Sequence, residues 1–163
     1  MIDITTSEMV RTLVDRAEIA DTLYRFAAGL DDADPVSLRS ALTEDAVVDF
    51  SPASKIGIDF IVLTPREVIV ESAMSSVGPM DTSHNLSNIR SEIDGDSAHA
   101  TCSALAQHFP GGTGPNPNKT IHALMMNRYD INLVRDGATW RISRLKIDNI
   151  WFEGDTAVLR AIP

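Results

Sequence analysis

Apolar side chains in the first fifth of the chain recur at alternating steps of three and four. Val10, Leu13, Ala17, Ala20, Tyr24 and Ala27 carry this pattern, which stacks them on one face of a helix. Ile19, Leu23, Phe26 and Leu30 widen that face, and Arg11, Asp15, Glu18, Thr22 and Arg25 form a polar stripe opposite it. The pattern predicts one long amphipathic helix over 10–31, opened by Thr5, Thr6 or Ser7 as cap with Glu8 in its first turn. The next apolar step lands on Asp31, where a carboxylate replaces the expected apolar residue. An acid at a helix C-terminus opposes the macrodipole. If buried there, Asp31 needs a partner or a raised pKa.

Further on, Pro35 suits the first turn of a short second helix, 36–42. Residues 43–45 read as a turn and 46–50 as a short strand. Between 51 and 63, Ile56, Ile58, Phe60 and Val62 alternate like a strand, but Gly57 leaves the assignment open. Thr64-Pro65-Arg66-Glu67 opens a third helix that runs to about Ser75. The period then changes to two. Extended runs cover roughly 83–93, 97–109, 120–135 and 139–153. Asp94-Gly95-Asp96 and Asp136-Gly137 are hairpin turns, and Pro110–Asn118 is a long Pro- and Gly-rich connection expected to be mobile. Three helices followed by an antiparallel meander define an α+β fold, with 1–163 as one domain.

Alternation predicts which strand residues face the helices. Ala100, Cys102, Ala104, Ala106 and His108 share a side, and small residues ending in a histidine leave room for a cavity. His84, Leu86, Asn88 and Arg90 share a side of the preceding run. His99 and His122 are expected outside. The four histidines lack metal-ligand spacing, so no metal site and no cofactor is expected. Met80, Met125 and Met126 are candidate apolar lining. The loop GGTGPNPNKT lacks the glycine before lysine that a phosphate-binding loop needs.

Composition narrows the functional classes. A net charge of -9 over 163 residues argues against a nucleic-acid or anionic-membrane partner. No apolar run is long enough to span a bilayer. The first residues do not read as a signal peptide, and the single Cys102 can form no internal disulfide. These features point to a cytoplasmic protein.

Four strings, YRFAAGLDDAD, LTEDAVVDF, SHNLSN and RYDINLVRDGATWRIS, resemble the SnoaL-like branch of the nuclear transport factor 2-like superfamily in order and spacing. That resemblance implies a cone, with three N-terminal helices packed on a curved antiparallel sheet around an internal pocket. In motif the chain is most similar to cofactor-free lyases: scytalone dehydratase, bile-acid dehydratase and hexachlorocyclohexane dehydrochlorinase. These carry an aspartate at the end of the first helix and a histidine early in the sheet, places held here by Asp31 and His84. Asn88 also matches a position that they often fill with asparagine. Phe26 stands where some carry tyrosine, and Leu145 where some carry arginine, flanked by Arg144 and Lys146.

The resemblance implies a cofactor-free elimination or dehydration of a small, mostly apolar molecule, with His84 as base and Asp31 as its orienting carboxylate. Tyr24, Phe26, Asn88, His108 and Leu145 are the candidate substrate-binding positions. A non-catalytic binding or assembly module and an isomerase or polyketide cyclase are the alternatives. Relatives commonly form homodimers or homotrimers through the outer sheet face. On this reading, Asp31→Asn is expected to leave stability level or raise it, because it removes a buried charge.

Overall fold

The computed structural model describes residues 5–57, 61–118 and 121–160. Helix α1 spans Thr6–Asp31 and opens on a capping box, in which the Thr5 side chain accepts from Glu8 N–H and the Glu8 carboxylate accepts from Thr5 N–H. Asp34 caps α2, Pro35–Ser40, by accepting from Val36 N–H. Strand β1 covers Leu42–Asp49, a 3-10 helix Ser51–Ile56, and β2 only Val62–Leu63. Helix α3, Arg66–Ser76, precedes four long strands: β3 Asp81–Asp94, β4 Ser97–Phe109, β5 Ala123–Asp136 and β6 Thr139–Gly154. A final short helix α4 covers Ala157–Arg160. The expected alternation through Ile58 and Phe60 falls partly outside the described residues.

The sheet order is β2-β1-β6-β5-β4-β3. The last four strands form the expected antiparallel meander. The N-terminal strand adds to it in parallel: β1 pairs with β6, and the register jumps between Leu42 and Val47. Residues 43–45, which read as a turn, lie within this irregular strand. The meander is curved, and extra residues on one strand of a pair sharpen such a bend. Ile150 is such an insertion between Met126↔Trp151 and Asn127↔Asn149. A second separates Asn132↔Arg144 from Leu133↔Ile142.

Helix α1 is rotated relative to the simplest reading of its apolar steps. Its buried residues are Asp15, Ile19, Thr22, Leu23, Phe26, Ala27 and Gly29. Val10, Leu13 and Tyr24 are exposed instead, at 54%, 64% and 52%. Two polar residues enter the core because each finds partners there. Asp15 accepts from Arg135 at 2.8 Å and from the Trp140 indole N–H at 3.3 Å. The Thr22 hydroxyl donates to the Trp140 carbonyl at 2.7 Å. Trp140 is fully buried beneath the Arg135 guanidinium, which lies 4.5 Å from the ring centroid. The helix is thus anchored to the start of β6 by polar contacts as well as by Ile19 and Leu23.

Gly29 permits the next crossing. A Cβ at this position would lie 2.6 Å from the Leu38 backbone nitrogen and 2.8 Å from its Cα. Only a residue without a side chain lets α2 approach α1 so closely.

Candidate functional site

The turn from α1 into α2 leaves Asp31 beside the first residues of β3. Its Oδ1 accepts from the Thr82 hydroxyl at 2.8 Å and lies 2.6 Å from His84 Nδ1. Its Oδ2 accepts from His84 N–H at 2.8 Å. One carboxylate therefore holds both the strand and the ring. Burial pushes the Asp31 carboxyl upward, but the His84 ring, the His84 N–H and the Thr82 hydroxyl outweigh it and hold the group below its ordinary value. The acid that opposed its helix dipole has acquired partners. A carboxylate at Nδ1 makes that nitrogen the donor and leaves Nε2 as the basic one. The His84 side chain is only 6% exposed and that of Asp31 23%.

His84 lines a cavity of about 400 Å³ between the helices and the concave face of the sheet. Phe26 and Leu30 from α1, Ile69 and Ala73 from α3, and Val48 and Ile147 from the sheet give it a largely apolar wall. His108, Asn127 and Tyr129 add polar groups on the inward rows of β4 and β5. The His108 ring meets that of His84 edge to face, with centroids 5.2 Å apart. His108 is 4% exposed and its Nδ1 has no hydrogen-bond partner. Burial, reinforced by the neighbouring His84, pushes its pKa down to about 4, so the ring is neutral at pH 7. Burial likewise raises the Tyr129 phenol, and it pushes the Cys102 thiol up to about 12, keeping it unreactive.

Of the sequence-derived positions, the fold brings Asp31, His84, Phe26 and His108 together. Three others lie elsewhere. Tyr24 is exposed on the outer face of α1 because the helix is rotated. Asn88 is exposed with a left-handed φ of 55°, at a bulge between Ser87↔Ser103 and Arg90↔Thr101. The extra residue reverses the alternation, so Ile89 and Ile93, not Asn88 and Arg90, pack on the core. Leu145 is fully buried in the core, away from the cavity wall. Met80 and Met125 line the cavity, while Met126 faces the other way, opposite Trp151 on β6.

Sequence reasoning missed Thr82, Asn127 and Tyr129. Inward alternation from Ala123 would have found the last two, and Thr82 sits two residues before His84 on its own face. Asp31→Asn now has a different expectation. Three donors converge on the carboxylate, and an amide cannot accept from all of them. The Pro110–Asn118 loop is also more tied than its composition suggests: Asp81 accepts from Gly114 N–H at 2.7 Å, and Thr113 bonds back to Pro110. Among the described residues no group of three His, Cys, Asp or Glu side chains is placed to hold a metal ion, and no helix is long and apolar enough to cross a membrane.

A helical layer closing one face of a curved sheet, with a carboxylate–imidazole pair at the wall of the enclosed space, defines a small class of α+β cones. The SnoaL-like domain model matches residues 11–146, and the chain belongs to that family. It is similar to terrestric acid biosynthesis cluster protein E of Penicillium crustosum, with 38% identity over 149 residues and 90% of both chains covered. Among solved structures it is similar to a candidate scytalone dehydratase from Novosphingobium aromaticivorans, with a TM-score of 0.73, 20% identity, and 88% and 89% of the two chains covered. It is also similar to hexachlorocyclohexane dehydrochlorinase LinA-type3 from Novosphingobium barchaimii, with a TM-score of 0.72, 19% identity, and 91% and 95% covered. At these identities the two structures share its fold.

Proposed function

We propose that the protein is a cofactor-independent lyase that eliminates water from a small, mostly apolar molecule held in the 400 Å³ cavity. The observation that carries this reading is the 2.6 Å contact between His84 Nδ1 and Asp31 Oδ1 at the cavity wall. His84 Nε2 takes a proton from a carbon next to an electron-withdrawing group. The C–H electrons become the new double bond as the C–O bond breaks. The proton on His84 passes to the departing hydroxyl, which leaves as water, and the ring returns to its starting state. Asp31 keeps the ring in one tautomer and stabilises the imidazolium formed between the two transfers. His108, neutral and with an unpartnered Nδ1, binds substrate beside the base, and Phe26 packs against the apolar body. The names of the similar proteins support the class: one dehydratase candidate, one dehydrochlorinase, and one member of the terrestric acid biosynthesis cluster.

The test is turnover of a panel of β-hydroxy ketones and β-hydroxy acids, followed by the ultraviolet absorbance of the conjugated product. The parent protein is expected to eliminate water from at least one. His84→Ala is expected to lose about two to four decades in rate while keeping its circular dichroism spectrum. A His84→Ala variant as active as the parent, or a parent inert on the whole panel, overturns the proposal.

A further inference from the structure

Tyr129 stands on the inward row of β5, opposite Cys102 of β4 and Ile147 of β6. It is 4% exposed and lines the cavity. Its hydroxyl forms no hydrogen bond with the described residues, yet it is not sealed from solvent. The free O–H therefore opens on the cavity. A tyrosine this deep in a core ordinarily finds a partner for its hydroxyl, and leaving the group unmet is costly. Phenylalanine would fill the same space without that cost. The phenol oxygen is the part of this side chain that packing does not explain.

Its surroundings say what the oxygen meets. Cys102, Ala104 and Ala106 of β4 lie between Tyr129 on β5 and His84 on β3. Small side chains there leave the way open from the phenol to the base. Burial first, then the neighbouring Cys102 and Asp31, keep the phenol protonated. Among the described residues no lysine or arginine lines the cavity.

We propose that Tyr129 is a catalytic donor whose O–H hydrogen-bonds the carbonyl oxygen of the molecule whose reacting carbon faces His84. This rests on the lyase reading and narrows its substrates to neutral carbonyl compounds. When His84 removes the proton from carbon, the C–H electron pair moves toward the carbonyl, and its oxygen gains negative charge. The phenol steadies that charge and keeps its own proton. A carboxylate substrate is disfavoured, because it would bring a second negative charge near Asp31 with no cation in the wall.

The probe is 1-tetralone, a neutral two-ring ketone, followed by calorimetry and by the infrared stretch of its carbonyl. Bound to the parent protein, the stretch is expected at lower frequency than in hydrocarbon solvent, as in any hydrogen-bonded carbonyl. Tyr129→Phe removes one oxygen and nothing else. It should move the stretch back toward the hydrocarbon value, weaken tetralone binding about ten-fold, and leave the thermal midpoint level or higher. On a β-hydroxy ketone that the parent turns over, it should also lower kcat about 10²–10³-fold. A stretch that Tyr129→Phe does not move overturns the assignment, as does a parent that does not bind the ketone. A midpoint well below the parent with unchanged tetralone affinity overturns it too, since the hydroxyl would then be structural. The binding and infrared readouts need no turnover. An unmoved stretch beside intact elimination condemns the donor alone, and a moved stretch in a protein that eliminates nothing condemns the lyase reading.

Discussion

At the scale of single residues, Asp31 is the point where expectation and structure diverge most usefully. The apolar register placed it inward and demanded a partner. The structure supplies three donors, two of them from His84. The stabilising form is the carboxylate, since its folded pKa lies below the ordinary value. That contribution is present above the unfolded carboxyl pKa and is lost as pH falls through the lower folded value. Asp31→Asn should therefore lower stability, by about 1–3 kcal/mol for a buried donor left unmet, measured as a shift in the urea midpoint. A midpoint level with or above the parent would show the hydrogen bonds to be worth less than the charge they hold. His108 titrates with the same sign for another reason. Its folded pKa of about 4 lies below the ordinary 6.5 because burial resists the charge. Stability should fall as pH drops from about 6.5 toward 4, and His108→Phe should flatten this part of the profile. An unchanged slope in that variant would place the titrating group elsewhere.

At the scale of elements, the strands were readable because period-two alternation persists for a dozen residues and tight turns bound it. The end of α1 was readable from Asp-Asp-Ala-Asp-Pro. Its rotation was not. A count of apolar steps cannot see that Asp15 and Thr22 will find Arg135 and Trp140 more than a hundred positions away. Asn88 was misplaced for a related reason: nothing in SHNLSNIR marks the bulge that turns it outward, and one inserted residue reverses every side chain beyond it. The pairing of Asp31 with His84 was legible only by resemblance, and Asn127 was overlooked because no motif named it. Gly29 offers a test of element packing. Gly29→Ala should raise intrinsic helix propensity yet destabilise the protein, because the new Cβ meets the Leu38 backbone at 2.6 Å and overpacking costs typically 1–3 kcal/mol. A thermal midpoint at or above that of the parent would mean that α2 can move away freely.

At the scale of the whole molecule, the sheet is closed by two strands from opposite ends of the chain. Strand β1 pairs with β6, so residues near 48 lie beside residues near 145. The Asp31–His84 pair needs only α1 and β3, and spans 53 positions, fewer than the β1–β6 pairing does. The cavity needs β6 in place, because β6 carries Ile147 in its wall and Asn149 behind Asn127. Chain closure over such a separation is slow compared with forming neighbouring hairpins. Pulsed hydrogen exchange during refolding should show amides of the β3–β4 hairpin protected before those of β1, and the reverse order would refute this. A growing polypeptide can thus bring its acid and its imidazole together while the last strand is still unmade. The reactive pair precedes the room that selects what it meets, and β6 is the strand that completes that room.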